Sequence, residues 1–364
     1  MVPAPEARSF SSPPTAEPAI AATYGGDEAG LICGYLFNTL GSGHAQELNS
    51  RQAADWLARQ SALPDPAVAA DQSSPAYLWL HFNLSHAQAV KWLQRHVDLA
   101  EDFFDALAES QPSTRIERTD DALVAVINDV HFDFGFESGD IATLWISVGP
   151  GLVVTARNQP LRSVDTLRTA VREGESPPSP TALLEHLLRA QADALVKIVR
   201  GVTARVDAVE DELLRGRLDQ RRTRLGVLRR LLVRLQRLLA PEPAALFRLL
   251  QRPPGWMAAD DIDELRGATE EFSVVLRDMQ ALQERIKLLQ EEIAANVNED
   301  NNRSLFVLTV VTVLALPINI LAGLFGMNVG GIPLAENGHG FWIVVAIVLS
   351  FTAIAAWLAF RNKR

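Results

Sequence analysis

The chain has 364 residues, of which 48% are hydrophobic and 21% are charged, a composition that excludes an intrinsically disordered or collagen-like protein. Its formal net charge of -10 argues against a dedicated nucleic-acid binder, because affinity for phosphate backbones requires a cationic surface. The one cysteine, Cys33, excludes both an intramolecular disulfide and a zinc cluster built on several thiolates.

The first half of the chain combines a polar head with an α/β pattern. Residues 1–30 are rich in Pro, Ala and Ser and contain no apolar signal-peptide core, so we expect a flexible head. Residues 31–180 alternate strand-like runs with helical apolar spacing, which predicts a cytosolic α/β domain of mixed type. The predicted strands are Leu31–Phe37, Tyr77–Phe82, Leu123–Val130, Ile141–Val148 and Leu152–Thr155, and the predicted helices are Asn49–Arg59 and Ala87–Leu107.

Residues 181–303 are predicted to be helical. Leucines recur at three- and four-residue steps in Leu183–Leu214 and Gln220–Leu239, and four prolines are then expected to break the helices. An arginine-rich stretch in the second helix suggests RNA binding or a salt-bridged helix pair, and we favour the pair because acids lie on the first helix. The arginines are Arg221, Arg222, Arg224, Arg229, Arg230, Arg234 and Arg237, the acids are Asp207, Glu210, Asp211 and Glu212, and the prolines are Pro241, Pro243, Pro253 and Pro254.

The last helical pattern predicts one long stalk helix from about Ile262 to Gly326. At ~1.5 Å per residue such a helix is on the order of 98 Å long. One of its faces carries apolar residues at alternating steps of four and three, which is the heptad pattern of a packed helical seam. This seam consists of Val275, Met279, Leu282, Ile286, Leu289 and Ile293.

Two uncharged segments near the C-terminus are long enough to cross a membrane. Leu305–Gly326 and Phe341–Phe360 carry no charge, and a bilayer core requires about 20 apolar residues in a helix. We expect spans at 304–326 and 341–360, an outer loop at 327–340 and a tail at 361–364. The loop has no Lys or Arg, whereas the opposite ends of the two spans are flanked by Arg303, Arg361, Lys363 and Arg364. Because positive flanks stay inside, both termini are expected to face the cytoplasm.

A stripe of polar residues is predicted along one face of the first span. At about 100° per residue, Thr312 and Asn319 lie about 20° apart. Polar groups at membrane depth are costly unless they face a partner helix or water, so the stripe indicates interhelical hydrogen bonds or, in a symmetric ring of copies, a pore. Without Lys or Arg in the stripe, and with carboxylates below it, such a pore would carry cations. The predicted pore-lining residues are Asn302, Leu305, Thr309, Thr312, Leu316, Asn319 and Gly323, and the predicted inner-funnel residues are Glu284, Glu291 and Asn298.

Pro317 interrupts this span and leaves the carbonyl of residue 313 without its usual partner. It is expected either to kink the helix near Leu316 or to be tolerated without consequence. In a ring of copies, Leu316 would form an apolar constriction that gates by dewetting. The residue pattern favours neither interpretation.

The segment Phe325–Pro333 resembles the signature of the CorA superfamily of divalent-cation transporters. It reads Phe-Gly-Met-Asn-Val-Gly-Gly-Ile-Pro, and the hallmark of the superfamily is Gly-Met-Asn at the outer end of the first of two C-terminal spans. The extension Val-Gly-Gly-Ile-Pro is similar to the ZntB zinc-transporter branch, as are Tyr77–Leu84, Arg162–Leu167 and Ser179–Leu188. The resemblance covers nearly all of the chain after about Gly30.

The resemblance implies a funnel-shaped homopentamer in a bacterial inner membrane. Each copy would have a cytosolic α/β/α sandwich, a long stalk helix that continues into the pore-lining span, and two C-terminal transmembrane helices. Gly326, Met327 and Asn328 would form an outer filter for hydrated divalent ions, with Glu336 and His339 attracting cations to it. The implied partners are further copies of the chain, the lipid bilayer and divalent metal ions, with no nucleic acid.

Two departures from the family pattern concern the outer end. Phe325 stands where many magnesium channels have a tyrosine, and the outer loop is less acidic than in many members. The acidic intracellular regulatory site of magnesium channels also has no residue-by-residue match in this sequence.

Zinc is the expected transported ion on the branch resemblance alone, and a magnesium, cobalt or nickel channel is the alternative. Between Ser304 and Ala335 there is no Cys, His, Asp or Glu, so we do not expect directly ligated tetrahedral zinc in the pore. No cofactor and no resident metal site are expected. A zinc site on one strand face, made by Asp129, His131 and Asp133, is the best alternative cluster in the cytosolic domain.

The sequence also bears on two other classes of function. An enzyme is not expected, because the chain has no Gly-rich phosphate loop, nucleophile elbow or HExxH motif. A membrane-anchored protein that senses metal or binds partners without conduction is the alternative of a different class.

Overall fold

The computed structural model describes residues 25–37, 45–61, 76–110, 112–119, 122–135, 140–214, 221–327 and 338–361. The chain divides into two units, Met1–Lys287 and Leu288–Arg364. The first is a mixed α/β domain with long helices, and the second contains the remainder of one long helix and a separate apolar helix. Asn328 and Glu336 of the predicted outer site lie outside the described residues.

A seven-stranded mixed sheet forms the centre of the first unit, with the strand order β2-β1-β3-β7-β6-β5-β4. β3 and β7 pair in parallel, and the other neighbours are antiparallel. Strand β4 was not predicted, because Ile116 is its one apolar residue among charged neighbours, as is common in edge strands. The strands are β1 (Leu31–Phe37), β2 (Gln46–Glu47), β3 (Tyr77–Asn83), β4 (Arg115–Arg118), β5 (Leu123–Val130), β6 (Ile141–Val148) and β7 (Leu152–Arg157).

Helices cover both faces of this sheet. The helices are α1 (Ser50–Ser61), α2 (Ala89–His96), α3 (Glu101–Ala108), α4 (Arg162–Arg172), α5 (Pro180–Leu214), α6 (Arg221–Leu239), α7 (Pro241–Gln251), α8 (Ala259–Phe325) and α9 (Gly340–Arg361). Because side chains alternate along a strand, Leu78 and Leu80 of β3 pack on the core under α1–α3. Tyr77 and Trp79 face the opposite core, under α4, α5 and α7. The predicted α/β/α sandwich is thereby confirmed.

Of two predictions about helix boundaries, one is wrong and one is confirmed. The predicted helix Ala87–Leu107 is two helices, because Val97 adopts an extended backbone (φ -124°, ψ 130°) and its side chain is buried in the core. The predicted break at the prolines is confirmed, since α6 ends at Leu239 and Pro241 and Pro243 lie in the first turn of the next helix, α7. Proline is favourable there, since the first helical N–H groups have no intrahelical partner.

The apolar seam predicted on the long helix is confirmed. Its six residues are at most 7% exposed. In the first unit, Gln283 Nε2 donates a hydrogen bond to Gln236 Oε1 of α6 at 2.8 Å. The predicted salt bridges differ, because packing of the seam brings Arg285 of α8 to the acids of α5. Arg285 pairs with Asp207 at 2.8 Å and with Glu210. The predicted pairing of acids on α5 with arginines on α6 is represented by Glu212 and Arg224, which lie 3.9 Å apart.

A buried carboxyl group fixes the beginning of α7 against the sheet. Glu242 is fully buried, and its Oε1 accepts a hydrogen bond from the Asn128 backbone N–H of β5 at 2.8 Å. Its Oε2 accepts one from Gln191 Nε2 of α5 at 3.0 Å. Burial raises the pKa of Glu242 well above its usual value, because the charged form is poorly solvated there. Glu242 therefore connects the sheet, α5 and α7.

The alternative zinc cluster is wrong, because its residues have separate roles. Asp129 is buried and accepts hydrogen bonds from the Ser163 backbone N–H (3.0 Å) and hydroxyl (2.5 Å), at the start of α4. His131 follows the end of β5 in an isolated bridge to Leu161, and Asp133 lies in an exposed turn. The strand ends at Val130, so the alternation on which the cluster was predicted does not reach these residues.

The pKa of Asp129 makes the stability of the domain depend on pH. Burial raises this pKa from 3.8 to about 6, so the native state holds the proton more tightly than the unfolded chain. The free energy of unfolding should therefore fall as pH rises from about 4 to about 6, by roughly 2–3 kcal/mol through this group. In Asp129→Asn this slope should become shallower, as measured by denaturant unfolding at a series of pH values. Asp133→Asn, at an exposed position, should keep the wild-type slope, and equal slopes in the two variants would contradict the assignment.

Candidate functional site

The apolar part of α8 lies in the second unit. Among the described residues, α8 is the one helix long and apolar enough to cross a membrane. An 18-residue segment of it has a mean hydropathy of 2.5, and none of that segment is buried. The described apolar part of α9, Gly340–Ile354, is shorter. In a single chain most residues of this segment are exposed, and the half-buried ones lie along one face, namely Phe306, Val310, Leu314, Pro317, Ile318 and Leu321. Its exposed polar and apolar sides both require a cover of lipid, water or protein.

The predicted pore-lining residues all lie in α8 and are exposed. Leu305 is 60% and Leu316 57% exposed, although both are apolar. Of the inner-funnel residues, Glu291 and Asn298 are exposed on the same helix. Glu284, in the first unit, lies 3.6 Å from Lys287 with its side chain 70% exposed. The exposed pore-lining set is Asn302, Leu305, Thr309, Thr312, Leu316, Asn319 and Gly323, and its role stays a prediction.

The two threonines of this set direct their hydroxyl protons into the helix. Thr309 Oγ1 donates to the Leu305 carbonyl at 2.8 Å, and Thr312 Oγ1 donates to the Leu308 carbonyl at 2.9 Å. Each hydroxyl proton is thereby used within α8, and each oxygen is left as a hydrogen-bond acceptor. An acceptor suits the water shell of a cation, because the hydrogens of that shell point away from the metal.

The helix continues through Pro317 to Phe325. Because proline has no N–H, the Val313 carbonyl lacks its usual donor and is a further acceptor in the middle of the span. Leu316 lies beside this position and is exposed. The predicted kink and constriction at Leu316 stay predictions.

The end of α8 carries the residues predicted to form the outer filter. The Gly326 N–H donates to the Ala322 carbonyl at 2.9 Å, and the Met327 N–H donates to the Leu324 carbonyl at 3.4 Å. A Cβ atom at position 326 would lie 3.0 Å from the Ala322 oxygen, so glycine permits this tight turn. The C-terminal end of a helix carries about half a negative charge, which favours a cation here. Gly326, Met327 and, across the outer loop, His339 are exposed.

No cluster of three or more His, Cys, Asp or Glu side chains suited to a metal ion occurs among the described residues. His81 is buried in the sheet, with Nδ1 2.8 Å from Thr155 Oγ1, and its Nε2 accepts a hydrogen bond from Arg157 Nε at 3.1 Å. Burial and the Arg157 charge lower the pKa of His81 well below its usual value. His81 is therefore a neutral structural residue. The oxygens along α8 are instead neutral, and neutral oxygens suit a hydrated divalent ion.

Aromatic side chains lie near both ends of α9. Phe341 and Trp342 are 72% and 69% exposed, and their rings meet edge to face at 5.5 Å. Trp357, near the other end, is 59% exposed. Aromatic residues are enriched at the two membrane–water interfaces, so this arrangement favours a second helix in the bilayer.

Sequence reasoning missed one charged surface of the first unit. Arg118 of β4 and Arg248 and Arg252 in and after α7 line one open pocket. Arg118 is more than a hundred residues from Arg248 and Arg252 along the chain, and β4 itself was not predicted. No spacing pattern could therefore have brought Arg118 together with the other two.

Comparison with known proteins gives the same fold over nearly the whole chain. Residues 74–364 match the family described as "CorA-like Mg2+ transporter protein". The divalent cation transporter CmaX of Pseudomonas aeruginosa is 29% identical over 342 residues, which are 93% of this chain and 98% of that protein. The zinc transport protein ZntB of Yersinia enterocolitica is 25% identical over 296 residues, 81% of this chain and 89% of that protein. The solved structure of full-length CmaX has a TM-score of 0.73 and 28% identity, and the match covers 93% of this chain and 98% of that chain.

Cysteine labelling can determine which side of the α8 span meets water. The native Cys33 gives little background, because it is 4% exposed and burial raises its pKa to about 12. Thr312→Cys and Leu316→Cys lie on the polar stripe, whereas Val307→Cys lies about 180° from Leu316. In liposomes, a charged methanethiosulfonate should label the two stripe positions at least about tenfold faster than Val307→Cys. The reason is that only a hydrated thiol ionises readily.

Val307 is the matched control, since it is 54% exposed in the single chain against 57% for Leu316. Any difference in labelling must therefore come from what covers each side in the membrane. Equal labelling of the positions on opposite sides would contradict a one-sided aqueous path.

Proposed function

Because the chain belongs to the family of CorA-like Mg2+ transporter proteins, we propose that it carries divalent metal cations across a bacterial inner membrane through a pore formed by five copies. As a member of this family it is a divalent cation transporter and not an enzyme. The observation that carries the pore proposal is the stripe of neutral oxygen groups on a span without charges. One helix cannot enclose a path, so a ring of identical copies is needed to line one.

The proposed path has three parts along α8. Gly326, Met327 and Asn328 receive a hydrated ion at the outer end, where the helix ends add negative potential. The stripe from Gly323 to Asn302 then offers acceptors to the water shell. Glu291 recurs once in each copy below the membrane and attracts cations into the inner funnel, together with Glu284 and Asn298.

Outside this path, Glu336 and His339 would raise the local cation concentration in the outer loop without coordinating the ion. Exposed charges of this kind act over about 8 Å at physiological salt. The loop would face the periplasm, with both chain termini in the cytoplasm, because the positive flanks of the spans lie on the other side.

We propose zinc as the physiological ion, supported by the similarity to zinc transport proteins over four fifths of the chain. The stripe favours transport of zinc as a hydrated ion, because it has no thiolate, imidazole or carboxylate to bind zinc directly. Magnesium is the second candidate, because its hydration shell is held tightly and suits sites made only of neutral oxygens. Uptake of each ion into liposomes that contain the purified protein separates the two.

Asn328→Ala tests the outer filter. Flux of the better-transported ion should fall by about tenfold or more, because a hydrogen bond to a polarised, charge-bearing water shell contributes about 1.5–3 kcal/mol. The measurement is initial uptake into proteoliposomes loaded with a zinc- or magnesium-sensitive dye, after the oligomeric mass in detergent has been shown to equal that of wild type. Unchanged flux in a correctly assembled variant would refute the filter assignment.

Glu291→Lys and Glu292→Lys form a matched pair for the inner funnel. Both side chains are exposed on α8, and they differ by about 100° in helical direction. Glu291→Lys places a positive ring on the proposed path and should lower flux by about tenfold, since a like-charged mouth repels cations. Glu292→Lys makes the same change in net charge and should lower flux far less. Equal losses in the two variants would show that Glu291 has no special orientation towards the path.

A further inference from the structure

An open pocket of about 430 Å³ lies between the edge strand β4 and helix α7 of the first unit. Its rim is strongly basic, although the chain as a whole has a net charge of -10. The volume is in the range of small-molecule sites, which is roughly 300–1,000 Å³. The residues that line it are Thr114, Arg115, Ile116, Glu117, Arg118, Arg248, Leu249 and Arg252.

The four arginines of this pocket differ in their partners. Arg115 pairs with Glu109 at 2.6 Å and lies 3.9 Å from Glu117, so its charge is already balanced. Arg118, Arg248 and Arg252 are exposed, and within the described ranges none of their three side chains makes a hydrogen bond or ion pair. Three guanidinium groups are therefore available to a ligand.

The fold directs these three groups to one side of the sheet. Ile116 and Arg118 share a strand face, because side chains alternate along β4, and Ile116 packs on the core that α7 covers. Arg248 lies in the last turn of α7, and Arg252 directly follows that helix with a non-helical backbone (φ -141°, ψ 71°). α7 is held in place by Glu242 at its beginning and by Leu246 and Leu249, which are buried in the same core. The pocket is thus built on fixed backbone elements.

Among the described residues this arrangement lacks a counter-charge. Arg118 of the strand, Arg248 of α7 and Arg252 after it place three like charges around one pocket, where they repel one another. Glu117, the one carboxylate of the lining, lies next to Arg115. A bound anion would relieve the repulsion among the three free arginines.

We propose that this pocket binds a small phosphorylated anion that carries at least two negative charges. Guanidinium groups donate paired hydrogen bonds whose geometry matches phosphate oxygens, and several of them around one cavity favour a di- or triphosphate over a monovalent anion. The pocket lies in the soluble unit and uses none of the residues of the proposed ion path. Such a ligand would connect the sheet edge to α7.

Binding of inorganic pyrophosphate tests the proposal. The full-length protein in detergent is titrated calorimetrically in the presence of a chelator, so that pyrophosphate cannot bind through a divalent metal. Wild type should bind, and Arg118→Gln and Arg248→Gln should each weaken the Kd by about tenfold or more, because each removes a charge-assisted hydrogen bond. Arg234→Gln, an exposed arginine of α6 outside the pocket, should leave the Kd unchanged.

A thermal melt separates ligand binding from a structural role of the arginines. Arg248 and Arg252 lie at the end of α7, where positive charge also stabilises a helix. If they serve a ligand, Arg248→Gln should keep or raise the Tm without pyrophosphate and lose the increase in Tm that pyrophosphate gives wild type. A lower Tm together with retained pyrophosphate binding would overturn the proposal, as would absence of binding to wild type or equal weakening in Arg234→Gln.

The phosphoryl group can belong to a soluble metabolite or to a lipid headgroup. Nanodiscs of neutral lipid and nanodiscs that contain phosphatidylglycerol distinguish the two sources. Unchanged pyrophosphate affinity in both would support a soluble ligand, and competition in the anionic discs that Arg118→Gln abolishes would support a headgroup. Competition that persists in Arg118→Gln, with pyrophosphate binding also intact in that variant, would place the anion elsewhere and overturn the assignment of the pocket.

Discussion

A polar group in the hydrocarbon layer of a membrane must have a partner, and most features of this chain follow from that constraint. α8 places hydroxyl and amide groups along one side of its uncharged segment, where lipid cannot satisfy them. Thr309 and Thr312 satisfy their protons within the helix, which lowers the cost of the stripe but leaves oxygen acceptors on its surface. These acceptors need water or another protein group, and the proposed ring of copies around water would provide both.

The first unit has the complementary task of holding α8 without using the polar stripe. It does so through the apolar seam, whose residues are buried on one side of α8. Gln283 and Arg285 add polar bonds to α6 and α5 beside the seam. Within the first unit, apolar packing uses the seam residues of α8 from Val275 to Ile286 and leaves Glu284 in solvent.

Local patterns predicted the parts of the structure that depend on local physics. The bounds of β1, β5 and β6 follow from apolar runs between turn residues, and the seam follows from its heptad spacing. The partners of Arg285 and the role of Asp129 under α4 were not predictable, because each depends on which distant element packs nearby. The same reason hid the arginine pocket. In the candidate site, spacing predicted the helical phase of the stripe, whereas the filter residues came from resemblance to a family motif.

In the proposed pore, the distribution of charge along α8 would let one helix attract a divalent ion and still release it. A carboxylate ring at membrane depth would bind the ion strongly and would cost free energy whenever the ion was absent. The proposed path instead has carboxylates below the span and the negative end of the helix above it. Between these ends the hydrated ion would meet neutral oxygens, which would bind its water shell weakly at several successive places. Selectivity for a given metal would then depend on the size and rigidity of its hydration shell, because no side chain along the stripe can replace that shell with stronger ligands.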